Sequence, residues 1–243
     1  KLATGRLIGV GDPFQSIYAF RGAKQGGMAD AQARFAMTPA DLSVSFRCPR
    51  AIVEAARWRV PNFKWNKPGG HVETLTELDA HDIPDGSVFL SRNNSPLFRL
   101  AVQFLSHGRS VSVAGSEIGP KLIGIMRKLG PESSTRLSTI DYIEHWREER
   151  QAAGSKTADD LADCMLVFAN TAKTLSGAIA TAEHILKQSG SIRMLTGHKA
   201  KGLEFNHVYH LDPWLCREDE QDLNLRYVIT TRSKDRLYEI DSA

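Results

Sequence analysis

Residues 192–211 decide the fold, and they read Ile-Arg-Met-Leu-Thr-Gly-His-Lys-Ala-Lys-Gly-Leu-Glu-Phe-Asn-His-Val-Tyr-His-Leu. Two largely apolar runs, 192–196 and 205–211, enclose a polar loop that contains glycine. Short apolar runs bounded by such loops are typical of strands in a sheet interior. The stretch therefore predicts a strand, a polar loop and a second strand.

The remainder of the chain alternates in the same way. Further strands are predicted at 6–11, 42–46, 71–76, 87–92, 110–114 and 237–240, and helices at 49–58, 95–107, 120–129 and 222–233. The run at 6–11 is expected to be buried, and the 42–46 strand, in which Leu42, Val44 and Phe46 alternate with serine, to be half-buried. Strands that alternate with helices predict an α/β fold with a mainly parallel sheet.

One region departs from this alternation. Residues 138–188 have a helical pattern throughout, which we interpret as an insertion or subdomain. Within it, Thr157-Ala-Asp-Asp160 predicts a capping box. Ser95 is expected to cap the helix that ends before Gly108.

Composition limits the function classes. The chain has 243 residues, 42% of them hydrophobic, which is enough for one sizeable core, and its net charge of +3 is too small to indicate nucleic-acid binding by itself. Residues 1–67 hold 11 Lys/Arg against 4 Asp/Glu, a basic third that either meets phosphates or forms a solvated face. Three widely spaced cysteines, no apolar run of about 18 residues and no signal peptide predict a reducing, cytoplasmic setting and no membrane span. The first residue is Lys1, so we expect a longer polypeptide.

Three further polar segments follow or end apolar runs, as the loop after 196 does. They are 10–23 (Val-Gly-Asp-Pro-Phe-Gln-Ser-Ile-Tyr-Ala-Phe-Arg-Gly-Ala), 42–49 (Leu-Ser-Val-Ser-Phe-Arg-Cys-Pro) and 225–234 (Leu-Arg-Tyr-Val-Ile-Thr-Thr-Arg-Ser-Lys). Open α/β sheets bind ligands with loops at strand ends. These distant segments are therefore expected to build one site.

In this order, the four segments resemble the later motifs of the UvrD/Rep family of superfamily 1 DNA helicases. The resemblance implies a RecA-like sheet flanked by helices, that is, a P-loop NTPase-type fold without its P-loop. No Gly-x-x-x-x-Gly-Lys-Ser/Thr occurs, and Gly115–Lys121 has the wrong spacing and a proline. The implied domains are the tail of a first RecA-like domain (1–27), a second RecA-like domain (28–130 and 191–243) and a reduced duplex-contacting subdomain (131–190).

The resemblance also implies a nucleotide site. Its residues are Gln15 near the γ-phosphate, Phe46 stacked on adenine, Arg47 on the γ-phosphate, Gly202 in a tight turn, Glu204 on the ribose hydroxyls and Arg232 as the arginine finger. Gln15, Arg47 and Arg232 would be catalytic. A guanidinium suits phosphate because it stays charged and bonds bidentately. A surface salt bridge for Arg47 and a plain turn for Gln15 are the alternatives.

The implied DNA-binding residues are Tyr18, Phe20, Arg21, Arg92, Asn94, Thr196 and His198. Aromatic rings suit this role because they stack on bases of any sequence. Residues 57–67 interleave four cations with three aromatics, which fits either a single-strand platform or an edge where aromatics pack and cations snorkel. Alternation places His207 and His210 on opposite faces of their strand, so no metal site is expected there.

The resemblance therefore predicts the C-terminal motor half of an ATP-dependent DNA helicase or single-strand translocase, of the kind that serves DNA repair and replication. Single-stranded DNA and a missing N-terminal RecA-like domain would be its partners. ATP and Mg²⁺ would bind in the intact helicase, with none held by this chain alone. The alternative is a non-catalytic DNA-binding or assembly module derived from a helicase. An unrelated small-molecule kinase is disfavoured because no phosphate-binding loop occurs.

Overall fold

The computed structural model describes residues 5–24, 26–114 and 118–241. Its main sheet has six strands in the order β3-β8-β7-β4-β6-β5, and all neighbours are parallel. A separate parallel pair is formed by β1 and β2. The strands are β1 (Val44–Pro49), β2 (Lys64–Lys67), β3 (His71–Leu75), β4 (Val88–Ser91), β5 (Val111–Val113), β6 (Ile192–Thr196), β7 (Phe205–Leu211) and β8 (Ser233–Ile240). The predicted α/β fold with a parallel sheet, of RecA-like type, is confirmed.

Helices cover both faces of this sheet. They are α1 (Gly27–Phe35), α2 (Arg50–Ala56), α3 (Ser95–Ser106), α4 (Ile118–Met126), α5 (Arg136–Ala152), α6 (Ala158–Thr171), α7 (Leu175–Lys187), α8 (Gly197–Ala200) and α9 (Glu220–Thr230). In the described ranges, none has the length and apolar character that a membrane crossing requires.

The sheet separates two hydrophobic cores. All four residues of β4 are buried, as expected for a central parallel strand covered on both faces. Phe89 faces the core formed with α3 to α7, and its ring stacks on that of Tyr209 at 4.6 Å between centroids. Leu90 faces the other core, formed with α2, α8 and α9.

Helices α5 to α7 lie in the region interpreted as an insertion. Ile143, Phe168 and Ile179 from these helices belong to the same core as Phe89. The continuous helical pattern therefore breaks into three helices that pack onto one face of the sheet. The boundaries at 131 and 190 stay a prediction.

Two predicted strand features are wrong. Residues 5–11 are exposed and form no strand, because no neighbouring strand pairs with them in the described part of the chain. Strand β1 exists, but Leu42, Val44 and Phe46 are exposed rather than half-buried. The reason is that β1 pairs with β2 outside the main sheet, so its apolar side faces solvent.

Two predicted helix caps are also wrong. Ser95 is the first residue of α3, whose N-cap is Asn94. Thr157 does precede α6, but its hydroxyl accepts no amide hydrogen bond. The carboxylate of Asp160 accepts from the Asn94 side chain at 2.7 Å instead of closing a capping box. In contrast, Asp219 caps α9 by accepting from the backbone N–H groups of its first turn.

Candidate functional site

The first cluster of candidate residues lies at the edge of the sheet where β7 and β8 begin. The Arg47 Nε atom of β1 lies 2.5 Å from Oε1 of Glu204, the residue before β7. An Arg47 terminal nitrogen also donates to the Thr231 carbonyl at 3.5 Å. Both charged side chains are more than a third exposed. The pair is therefore open to an incoming ligand.

Arg232 lies beside this pair but is buried, with 1% of its surface exposed. Its guanidinium donates to the carbonyls of Val228 at 2.9 Å and Leu203 at 3.1 Å, and to the Thr231 hydroxyl at 3.2 Å. Burial lowers the pKa of Arg232, and the neighbouring Arg47 cation acts in the same direction. In this conformation the Arg232 guanidinium joins the loop before β7 to the end of α9 through hydrogen bonds.

Phe46 and Gly202 border the same cluster. The Phe46 ring is 76% exposed, an unusual position for an apolar side chain of this size. Gly202 has a φ of 87°, which side chains other than glycine rarely adopt, and it turns the chain into Glu204. A carboxylate and a guanidinium therefore lie together on one exposed edge, and the exposed Phe46 ring belongs to the residue before Arg47 on β1.

Gln15 lies in a different environment. Its side-chain amide donates to the Asp12 carboxylate at 2.8 Å, and its backbone carbonyl accepts from the Lys201 ammonium at 2.7 Å. Within the described residues, no hydrogen bond joins Gln15 to Arg47 or Arg232. The sequence suggested no role for Lys201, although this residue lies in the polar loop between the strands 192–196 and 205–211.

The segment around Gln15 is docked onto α9. Ile17 is 1% exposed and packs in the core shared with that helix. The Gln221 side chain accepts from the Ala19 N–H at 3.0 Å, and the Gln221 and Asn224 amides both donate to the Ser16 carbonyl at 3.1 Å. Sequence reasoning missed both side chains. Their spacing of three on one helix face was the only available signal.

A second cluster, the aromatic platform, consists of Tyr18, Phe20, Arg21 and His198. The Phe20 and His198 rings meet edge to face at 5.3 Å, and the Arg21 guanidinium lies 5.6 Å from the Phe20 centroid. The Tyr18 hydroxyl donates to the His198 carbonyl at 2.9 Å. Phe20 is 63% exposed, so the platform offers a stacking surface with a cation at its side.

The His198 ring stays neutral in this setting. Burial lowers its pKa from 6.5 to about 4, with Arg92 and Arg21 acting in the same direction and Asp222 opposing them. Arg92 is itself paired with Asp222 at 2.7 Å. A neutral imidazole next to Arg92 can accept or donate a hydrogen bond without repelling that cation.

Two predicted DNA contacts are less accessible. Thr196 ends β6 and is 8% exposed. The Asn94 amide is bound by Asp160 of α6. The structure thus brings Tyr18, Phe20, Arg21, Arg92 and His198 together, and it leaves Thr196 and Asn94 at the margin.

The cation-rich segment 57–67 has features of both interpretations, an ordinary packed edge and a single-strand platform. Arg59 donates to Asn224 at 2.7 Å, and the Phe63 ring packs edge to face on Tyr227, as an ordinary edge requires. Trp58 and Trp65 remain partly exposed.

His210 is fully buried in β7, and no cluster of metal-binding side chains occurs among the residues with described positions.

Comparison with known proteins adds one finding. Residues 191–238 match the family model described as the UvrD-like helicase C-terminal domain. The match contains Thr196, His198, Gly202, Glu204 and Arg232. No curated protein matches the chain. Residues 191–238 are therefore similar to a UvrD-like helicase C-terminal domain, in agreement with the resemblance that the sequence motifs indicated.

Proposed function

We propose that this chain is the C-terminal motor half of an ATP-dependent DNA helicase or single-strand translocase. One observation carries the proposal: Arg47, Glu204 and Arg232, from three distant segments, meet at one exposed edge of a helicase-type sheet. Two guanidiniums beside a carboxylate match the charges of a nucleoside triphosphate, and Phe46, which precedes Arg47 on β1, offers an exposed ring for the base.

In this proposal ATP binds between this edge and a RecA-like lobe that is not in the sequence. Phe46 stacks on adenine, and the Glu204 carboxylate accepts from the ribose hydroxyls. That exchange releases the Arg47 guanidinium, now paired with Glu204, to the γ-phosphate. Residues of the other lobe would hold Mg²⁺, since a Walker loop and an Asp-Glu strand end are missing from these 243 residues.

Arg232 is the proposed arginine finger. Because it is buried, it must change hydrogen-bond partners before it can reach a phosphate. The guanidinium must exchange the Leu203 carbonyl for phosphate oxygen. A shift of the loop that carries Leu203 and Glu204 accomplishes this as the ribose draws Glu204 away. The same loop movement then binds the ribose and exposes the Arg232 guanidinium.

The aromatic platform is the proposed track for single-stranded DNA. Exposed Phe20 supplies the stacking face, and Arg21 supplies phosphate contact. Lys201 connects the two ends of the site, because its ammonium binds the Gln15 carbonyl and lies 5.2 Å from the Tyr18 ring. Movement of the Gln15 loop would therefore reach the DNA surface.

A second candidate function is a non-catalytic DNA-binding module. The observation that favours it is the full internal pairing of Arg232, which is what a structural arginine would show. Such a module would keep the platform and have no use for the exposed Phe46 ring.

The test uses the purified 243-residue chain. Because the phosphate-binding half is elsewhere, we expect no ATP turnover by the chain alone. We expect single-stranded DNA binding that Phe20→Ala weakens by about 5- to 100-fold, the worth of one stacked base. Phe35→Ala, at another exposed position on α1, is the control. Robust turnover abolished by Arg232→Ala, or DNA affinity unchanged by Phe20→Ala, contradicts the proposal.

A further inference from the structure

A groove of about 530 Å³ lies beside the proposed DNA track. It opens between the start of α3, the end of α6 and the 3-10 turn Pro213–Leu215 that follows β7. Its polar lining includes Asn93, Ser95, Arg99, Asn170 and Thr171. A volume in this range is common for small-ligand sites.

The groove occupies the edge of the sheet where strands end. Ser91 of β4 pairs in register with Thr196 of β6 and with Leu211 of β7, so the three strands end side by side. Neighbouring strands are about 4.8 Å apart, which places the ends of β6 and β7 roughly 10 Å from each other. The aromatic platform follows β6, the groove follows β7, and Arg92 follows β4 between them.

Trp214 is the central feature of this groove. Its indole is 64% exposed, although tryptophan is normally well buried. Asp212, with a left-handed φ of 50°, turns the chain sharply after β7 and so presents the indole at the mouth of the groove. A large exposed aromatic ring next to amide side chains can stack on a base and bond to its edge.

Arg99 supplies the charge. Its side chain is exposed on α3, and among the residues described it has no ion pair or hydrogen bond. The nearby Asp163 is already paired with Arg147 at 2.6 Å. Arg99 is therefore available for a phosphate.

We propose that this groove is a second stacking site for single-stranded DNA, with one unstacked base on Trp214 and an adjacent phosphate on Arg99. The proposal rests on the proposed function, because the same strand must cross the aromatic platform. The strand then runs from Phe20 past Arg92 to Trp214. Asn93 and Asn170 contact the edge of the base, which makes this site the sequence-sensitive one.

The experiment measures binding of a fluorescent twelve-thymidine strand by the chain at fixed low salt. We expect Trp214→Ala to raise Kd by about 5- to 100-fold and Trp214→Phe, which keeps a stacking face, to restore most of the affinity. Phe35→Ala removes an exposed aromatic ring on α1, outside both proposed DNA sites, and is the control. Trp214 is exposed, so the melting temperature is expected to stay unchanged.

A single abasic residue moved along the strand separates this inference from the proposed function. We expect two positions at which the lost base lowers affinity, one abolished by Phe20→Ala and the other by Trp214→Ala. If Phe20→Ala weakens binding and Trp214→Ala does not, the second site is wrong and the proposed function stands. If the chain binds no single-stranded DNA, both are wrong.

Discussion

Two neighbouring arginines differ sharply in environment. Arg47 is more than a third exposed and held by one carboxylate and a long hydrogen bond to the Thr231 carbonyl, whereas Arg232 is buried and held by two carbonyls and a hydroxyl. Resemblance to a helicase motif was enough to expect them near Glu204. The burial of Arg232 was not predictable, because its hydrogen-bond acceptors, the Leu203 and Val228 carbonyls, are fixed only by the fold.

This burial predicts a structural cost of removing Arg232. Arg232→Ala removes three hydrogen bonds of a buried side chain, to the Val228 and Leu203 carbonyls and the Thr231 hydroxyl, so we expect the free energy of unfolding to fall by about 1–3 kcal/mol. Urea denaturation of the two proteins measures the difference. Arg236→Ala, at an exposed position on β8, is the control and should change little. Equal stability of wild type and Arg232→Ala would show that the side chain is free in solution.

His198 predicts a pH dependence of stability. Its folded pKa of about 4 lies below the ordinary value of 6.5, so the unfolded chain takes up a proton first. The contribution of the neutral ring is complete above about pH 6.5 and is lost as pH falls toward 4. His198→Asn should therefore flatten the stability profile in this window. Buried His210, whose pKa is also lowered, leaves a remaining slope of the same sign.

The ring resonances of His198 provide the direct readout. We expect no titration of the His198 ring between pH 8 and pH 5. A His198 midpoint near 6.5 would contradict the half-buried, cation-flanked position.

At the scale of elements, the docking of residues 13–19 onto α9 links the two halves of the candidate site. Helix α9 holds this segment through Gln221 and Asn224 near its start and leads into Arg232 at its other end. The sequence predicted the helix and the loop separately. It contained no signal for their contact, which joins positions about 200 residues apart through polar side chains.

This contact predicts a local change in hydrogen exchange. Gln221→Ala removes the acceptor of the Ala19 N–H, so exchange at that amide should become about tenfold faster, in line with one lost hydrogen bond. Gln188→Ala, on an exposed side chain after α7, is the matched control. Unchanged exchange at Ala19 would mean that Ile17 packing and the Asn224 hydrogen bond hold the segment without Gln221.

The strand prediction failed where strand pairing, rather than hydrophobicity, decides whether an apolar run forms a strand. Residues 192–196 and 205–211 match β6 and β7 because central parallel strands are buried on both faces. The apolar run at 6–11 has the same composition, yet a strand also needs a hydrogen-bonded neighbour, which apolar patterning does not report. Pairing also explains why the apolar residues of β1 are exposed, since β1 pairs with β2 outside the main sheet.

On the scale of the whole molecule, the sheet separates two candidate surfaces. Arg47, Glu204 and Arg232 gather where β7 and β8 begin, and the aromatic platform follows the end of β6. The loop from Gly197 to Glu204 runs between them, with Lys201 in its middle. Proposed ATP and DNA sites on opposite edges, joined by one short loop, are what a translocating motor requires.

The most direct test of the account is single-turnover ATP hydrolysis by a polypeptide that joins this chain to a RecA-like lobe with a Walker loop. We expect Arg47→Ala and Arg232→Ala each to leave ATP affinity within about threefold of wild type and to slow hydrolysis by about 10³-fold or more. Arg50→Ala, three residues beyond Arg47 and paired with Glu54, should leave both quantities unchanged. Hydrolysis at the wild-type rate in either variant, or equal loss of binding and hydrolysis, would contradict a nucleotide face built from Arg47, Glu204 and Arg232.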